Sequence, residues 1–122
     1  LQIERRTVPG ETDEIVERQL RELVGEMGNI RIELTRQPFE IAPDAELVTV
    51  MQGVIASHLG APAELTGVGG WMDSALTSAA GIPTVIFGPT GEGAHADVEW
   101  IDLETVASCR AIYADLARTW CR

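Results

Sequence analysis

Ile82-Pro83-Thr84-Val85-Ile86-Phe87-Gly88-Pro89 is the stretch on which the fold class turns. Thr84 to Phe87 is an unbroken run of β-branched and aromatic residues, bounded by Pro83 on one side and Gly88-Pro89 on the other. A strand with one wet face alternates apolar and polar side chains. A run without alternation predicts a strand covered on both faces, as in a parallel sheet. Just upstream, a helix over about residues 73–80 stops at Gly81. Downstream, after a glycine-rich loop, Asp102 stands as the N-cap of a last helix carried by Leu103, Val106, Tyr113, Leu116 and Trp120. A strand set between helices predicts the α/β class.

Working outward, Leu47, Val48, Met51, Val54, Ile55 and Leu59 recur at helical spacing, with Asp44 as cap and Gly60 as stop. A short strand over 63–66 leads from this helix into Gly67, Gly69 and Gly70, and Pro38 and Pro43 mark a linker before it. At the start of the chain, Leu1 and Ile3 alternate with Gln2 and Glu4, which predicts a strand broken by Pro9-Gly10. Thr12 then caps a helix with Asp13 and Glu14 in its first turn, where the helix dipole favours acids. Its stripe is Ile15, Val16, Leu20, Leu23, Val24 and Met27, and Gly28-Asn29 is its expected end. Ile30, Ile32 and Leu34 alternate with Arg31, Glu33 and Thr35, giving a second strand. Residues 1–36 therefore read as strand, helix, strand.

The chain has 122 residues, a length typical of one domain. Its formal net charge is −10, from 19 acidic and 9 basic residues. Nucleic acid and anionic membrane surfaces need a basic face, so neither is an expected partner. Cys109 and Cys121 form no CxxC pair, and no disulfide framework is expected, which points to a cytoplasmic setting. No apolar run approaches the length of a membrane span, and no signal peptide opens the chain. The chain begins at Leu1, inside an apparent strand, so it is expected to be part of something longer.

The loop from Gly88 to Glu99 carries the strongest chemical signal. It follows the end of the expected buried strand, the edge where open α/β sheets bind ligands. His95 and Glu99 lie on it among Gly88, Gly91 and Gly93. A neutral imidazole ligates zinc, and a carboxylate nearby orients it. Spacing alone reads as readily as a surface or hydrogen-bonded histidine, because one ligand makes no site. Gly67-Val68-Gly69-Gly70 lacks the third glycine of a dinucleotide fingerprint, with Met72 in its place, and the 88–93 loop lacks the Gly-Lys-Ser/Thr end of a P-loop. Both clusters fit tight turns or backbone that approaches a ligand closely. Arg5 and Arg6 fit solvated strand positions or a carboxylate clamp. Asp73 fits a helix cap, and His58 fits a cation at a helix C-terminus. Ser74 and Ser78 lack the strained Gly-x-Ser-x-Gly turn of a nucleophile.

Four ordered pieces carry a resemblance: Glu-Arg-Arg-Thr-Val-Pro-Gly-Glu at 4–11, Gly-Gly-Trp-Met-Asp-Ser-Ala at 69–75, Ala-Gly-Ile-Pro-Thr-Val-Ile-Phe-Gly-Pro at 80–89, and Gly-Ala-His-Ala-Asp-Val-Glu-Trp-Ile-Asp at 93–102. Together they resemble the zinc-dependent amidohydrolases of the acetylornithine deacetylase, succinyl-diaminopimelate desuccinylase and carboxypeptidase G type. The resemblance implies a catalytic α/β domain of zinc-exopeptidase type holding two zinc ions, with cobalt as an alternative metal. It also implies an inserted ferredoxin-like lid that makes a homodimer. Residues 1–37 would be the second half of the lid and 38–122 the C-terminal part of the catalytic domain. By the same resemblance His95 is the last zinc ligand, and Arg6 holds the substrate carboxylate. Gly69, Gly70 and Gly91 line the substrate pocket, and Glu99 supports the histidine from behind. The family's other ligands, its general base and its lid histidine match nothing here, so this segment is expected to be inactive alone. The substrate would be an N-acyl amino acid or a small peptide. Trp71 and Met72 depart from the small polar residues of some desuccinylases and weigh against that particular substrate. The competing expectation is a dimerisation or interaction module that keeps the fold without the metal chemistry.

Overall fold

The computed structural model describes residues 1–121. In chain order the elements are α1 (Asp13–Val24), α2 (Glu46–Leu59), α3 (Ser74–Ala79), β1 (Gly91–Glu92), β2 (Trp100–Ile101) and α4 (Leu103–Trp120). Helix and strand are both present, as the α/β class requires, but the fold is mostly helical. The chain divides into two compact units: one comprises Leu1–Glu40 and Gly70–Gly81, the other Ile41–Gly69 and the residues from Ile82 on.

In the first unit, Thr12 caps α1 by accepting a hydrogen bond from the Ile15 amide at 3.4 Å. The same hydroxyl, together with Glu14's own backbone amide, holds the Glu14 carboxyl below its ordinary value. The helix ends earlier than the Gly28-Asn29 signal predicts. Gly25 takes a left-handed φ of 53° and its amide bonds back to the Arg21 carbonyl, and residues 25–27 continue only as a 3-10 turn. Glycine at this point adopts the reversed backbone without a Cβ penalty, so the first available glycine wins. The strands expected over 1–7 and 30–36 are absent: neither segment has a ladder partner among the described residues. Alternation supplies a face, but a strand also needs a partner for its backbone groups. Ile3 and Leu34 accordingly remain 64% and 69% exposed.

The second unit holds the core. Met51 and Ile55 of α2 and Ile112 of α4 are buried together, flanked by Val54, Ala63, Val85, Phe87 and Leu116. Burial of each of the three contributes roughly 1.5–3 kcal/mol. The α4 stripe differs from the one expected. Ile112, outside the expected stripe, packs on α2 together with the expected Leu116, and Cys109 is buried, while Leu103 and Tyr113 are 76% and 46% exposed. Caps differ too: Asp102 accepts from the Glu104 amide at 2.9 Å as expected, but α2 begins after Ala45 rather than Asp44, with no side-chain cap. Asp73 precedes α3 without a capping hydrogen bond from its side chain. At the far end of α2, His58 Nε2 meets Asp115 Oδ2 of α4 at 2.8 Å, and Arg118 reaches the other oxygen at 2.7 Å.

The parallel strand expected at 84–87 is not formed. Among the described residues the only ladder is an antiparallel pair, Gly91 opposite Ile101 and Glu92 opposite Trp100. Residues 84–87 take neither helix nor strand, with Val85 and Phe87 packed on the core and Ile86 46% exposed. One face of the run is thus covered and the other is open. Tyr113 of α4 holds this segment instead of a neighbouring strand: its hydroxyl donates to the Phe87 carbonyl, and its ring meets Phe87 edge-on at 5.9 Å. The short strand expected at 63–66 is replaced in the same manner. The Gln52 amide of α2 donates to the Ala63 carbonyl and accepts from the Ala63 N–H, both at 2.8 Å, as a neighbouring strand would.

Candidate functional site

His95 lies at the tip of the β1–β2 hairpin, on an exposed loop. The Ala96 amide donates to the Gly93 carbonyl at 2.8 Å, which makes residues 93–96 a tight turn. Among the described residues His95 is the one non-glycine with a positive φ, 64°. Its imidazole has no hydrogen-bond or ion-pair partner there, and the residue is exposed. The hairpin is bolted to the start of α4. The Asp102 amide donates to the Thr90 carbonyl at 2.9 Å, and the Thr90 amide donates to Thr105 Oγ1 at 3.0 Å. Thr105 Oγ1 donates in turn to the Asp102 carbonyl at 2.8 Å. Sequence reading missed Thr105. Its signal is a threonine three residues beyond a capping aspartate, where its hydroxyl reaches back to the preceding turn.

Gly91 and Glu99 come together in this hairpin. Both line an open hollow with Pro89, Ala94, Trp100 and Ile101; Ala94 adjoins His95, which is not itself part of the lining. Gly91 has a structural reason to be glycine, because a Cβ there would stand 2.2 Å from the Trp100 carbonyl oxygen. Gly69 and Gly70 have none: a Cβ on either meets nothing within 4 Å, and neither has a positive φ. Their lack of a side chain serves no contact inside this structure.

Arg5 and Arg6 separate into two roles. Arg5 is tied to Glu11 and Gln19, next to the start of α1, and braces the turn at Pro9-Gly10. Arg6 is 66% exposed and, among the described residues, pairs only with Glu4, itself 72% exposed, at 2.5 Å. Exposed pairs of this kind are worth no more than about 1 kcal/mol, so its guanidinium remains open to another carboxylate. In the same unit Arg36 sits over the Trp71 ring at 6.0 Å, a cation–π contact that accounts for the bulk at position 71.

The donor set decides what metal chemistry these residues fit. An exposed imidazole free of internal partners fits one ligand position. A catalytic zinc takes about three protein ligands, and no group of three His, Cys, Asp or Glu side chains gathers among the described residues. His95 therefore fits as one member of a larger set. No helix among them is long and apolar enough to cross a membrane.

The model of peptidase family M20/M25/M40 matches residues 3–119. No curated protein and no solved structure matches the chain.

Proposed function

Because the chain belongs to peptidase family M20/M25/M40, we propose that it serves a metal-dependent hydrolase that cleaves the amide bond of N-acyl amino acids or small peptides. The observation that carries this reading is the family match over 3–119 combined with a partner-free imidazole at the tip of a braced hairpin. His95 supplies one ligand to zinc, or to cobalt in its place, in a two-metal site completed by other donors. When bound, the metal supplies activation of a water and polarisation of the scissile carbonyl. Glu99, on the loop that returns from the tip, orients the His95 side of the site. Arg6 clamps the substrate carboxylate through its planar fork. Gly69, Gly70 and Gly91 leave backbone free to approach the substrate; the open space at the first two supports this use. Residues 1–37 act as the second half of a lid, and 38–122 as part of the catalytic domain. Homodimerisation through that lid goes with this reading: the segments at 1–7 and 30–36 alternate apolar and polar residues and have no ladder partner among the described residues, so a second copy can supply one. A cytoplasmic setting agrees with the two free thiols.

The test is His95→Ala in the full-length protein, assayed for zinc content and for hydrolysis of a panel of N-acetyl and N-succinyl amino acids. Groups that stand behind a metal ligand typically contribute roughly 10–100-fold, so loss of the ligand itself should cost more, with the helices intact by circular dichroism. Normal turnover and normal zinc content without His95 would refute the reading.

A further inference from the structure

His95 occupies a backbone position that sequences ordinarily give to glycine or asparagine. Residues 93–96 form a β-turn closed by the Ala96 amide on the Gly93 carbonyl, and His95 is its third residue with φ 64°. A positive φ at the third position brings Cβ against neighbouring carbonyls, which is why glycine is preferred there. A histidine in that slot breaks a local rule, and such breaks gather where function requires them.

Gly93 is what makes the slot. Its own φ is 79°, and a Cβ there would stand 2.0 Å from the Val98 carbonyl oxygen, 3.1 Å from its carbon and 3.2 Å from Glu99 Cα. The obstacle is backbone, not the end of a flexible side chain, so it has no easy way to give. With glycine at 93 and 91, the outgoing leg of the hairpin lies directly against the returning leg. Thr90 and Thr105 fasten the base of the hairpin to α4. The hairpin is thus held at its base by α4, and the left-handed backbone falls at His95.

We infer that Gly93 is a positioning residue for His95: by letting the legs of the hairpin touch, it imposes the left-handed backbone that aims the imidazole. The aim toward a metal rests on His95 being a ligand, as proposed above; the strain in the turn does not.

Two measurements on the full-length protein test it. The first is thermal melting of the metal-free protein as His95→Gly and His95→Ala. Both lack the imidazole and differ in whether a Cβ must endure the positive φ. His95→Gly should melt a few degrees higher than His95→Ala, the size of shift expected for relief of one left-handed residue. Equal melting, or His95→Ala the higher, overturns the strained turn. The second is zinc affinity by chelator competition for Gly93→Ala, with Gly67→Ala as control, since a Cβ at 67 meets nothing within 4 Å. Gly93→Ala should lose about tenfold or more in affinity while its helical circular dichroism persists, and Gly67→Ala should lose none. Unchanged affinity in Gly93→Ala overturns the positioning role, provided His95→Ala loses zinc. If His95→Ala also keeps its zinc, the ligand assignment fails, and with it the aim toward a metal, while the melting comparison still judges the turn.

Discussion

Ile112→Ala is the substitution that most directly tests how the second unit is held. Ile112 is fully buried, at 0% exposure, between Met51 and Ile55 of α2 and Leu116 of its own helix. Alanine removes three carbons; at about 0.8 kcal/mol each the transfer loss is about 2.4 kcal/mol. The surrounding side chains come from two helices and the 85–87 segment, so they collapse only partly, and the cavity raises the loss to about 3–4 kcal/mol. Ile112→Val removes one carbon and should cost about 1 kcal/mol. Val106 lies 39% exposed on the neighbouring face, and Val106→Ala should cost less than about 1 kcal/mol. Urea unfolding followed by far-UV circular dichroism measures all three. With a slope of about 1.5 kcal/mol per molar, Ile112→Ala should lower the midpoint by about 2 M. A loss below about 1.5 kcal/mol, or one no larger than that of Val106→Ala, would mean that α4 presents another face to α2.

Three further outcomes follow from the same structure. His58 first, and then Arg118, hold the Asp115 carboxyl below its ordinary 3.8. A carboxyl lowered in the folded state contributes stability that is present above its unfolded pKa and lost as pH falls through the depressed value. Asp115→Asn should therefore flatten the acid limb of the stability curve below 3.8, and an unaltered limb in an acid titration of thermal stability would refute the clamp. Arg6→Ala should raise KM for a substrate with a free carboxylate by roughly 10- to 100-fold, the worth of a charge-assisted bond, and do little to an amide-capped analogue; equal effects on both would remove Arg6 from the substrate. Calorimetric titration of zinc into the 122-residue chain should show no tight stoichiometric binding, because no three donors gather among its described residues. Tight one-to-one binding would show a complete site.

Helices were legible where the signal is local. Thr12 and Asp102 act as the caps their positions announce, and Gly60 ends α2 with the left-handed backbone expected of it. Strands were not legible, because a strand is a property of two segments. The run Thr84–Phe87 has the composition of a doubly covered strand, yet only Val85 and Phe87 find cover, and Tyr113 takes the Phe87 carbonyl that a ladder would have taken. Gln52 does the same for Ala63. No periodicity announces that a side-chain amide will stand in for a strand. The α4 face was legible only in part: Leu116 packs on the core as expected, but Ile112, which the expected stripe omits, is its buried centre.

The candidate site shows most clearly where sequence reading stops. Gly91-Glu92-Gly93-Ala94-His95 offers two readings of its glycines, a tight turn or a close approach to a ligand, and composition cannot separate them. Gly91 and Gly93 are needed by the hairpin itself, since a Cβ on either would overlap a carbonyl oxygen of the returning leg, and that need stands beside the proposed use of Gly91 by substrate. The structure leaves Gly69 and Gly70 with no internal use. The two clusters therefore differ in kind. Substitution at 91 or 93 acts through the backbone around His95 and should disturb the chain itself. Substitution at 69 or 70 meets only open space, so whatever it disturbs must come from outside the chain. Alanine at each of the four positions, compared for melting temperature and for substrate KM, separates these effects: stability should fall at 91 and 93, with KM rising at 91 as well, and KM alone should rise at 69 and 70. A melting loss at Gly69→Ala equal to that at Gly93→Ala would erase the distinction and return both clusters to the role of plain turns.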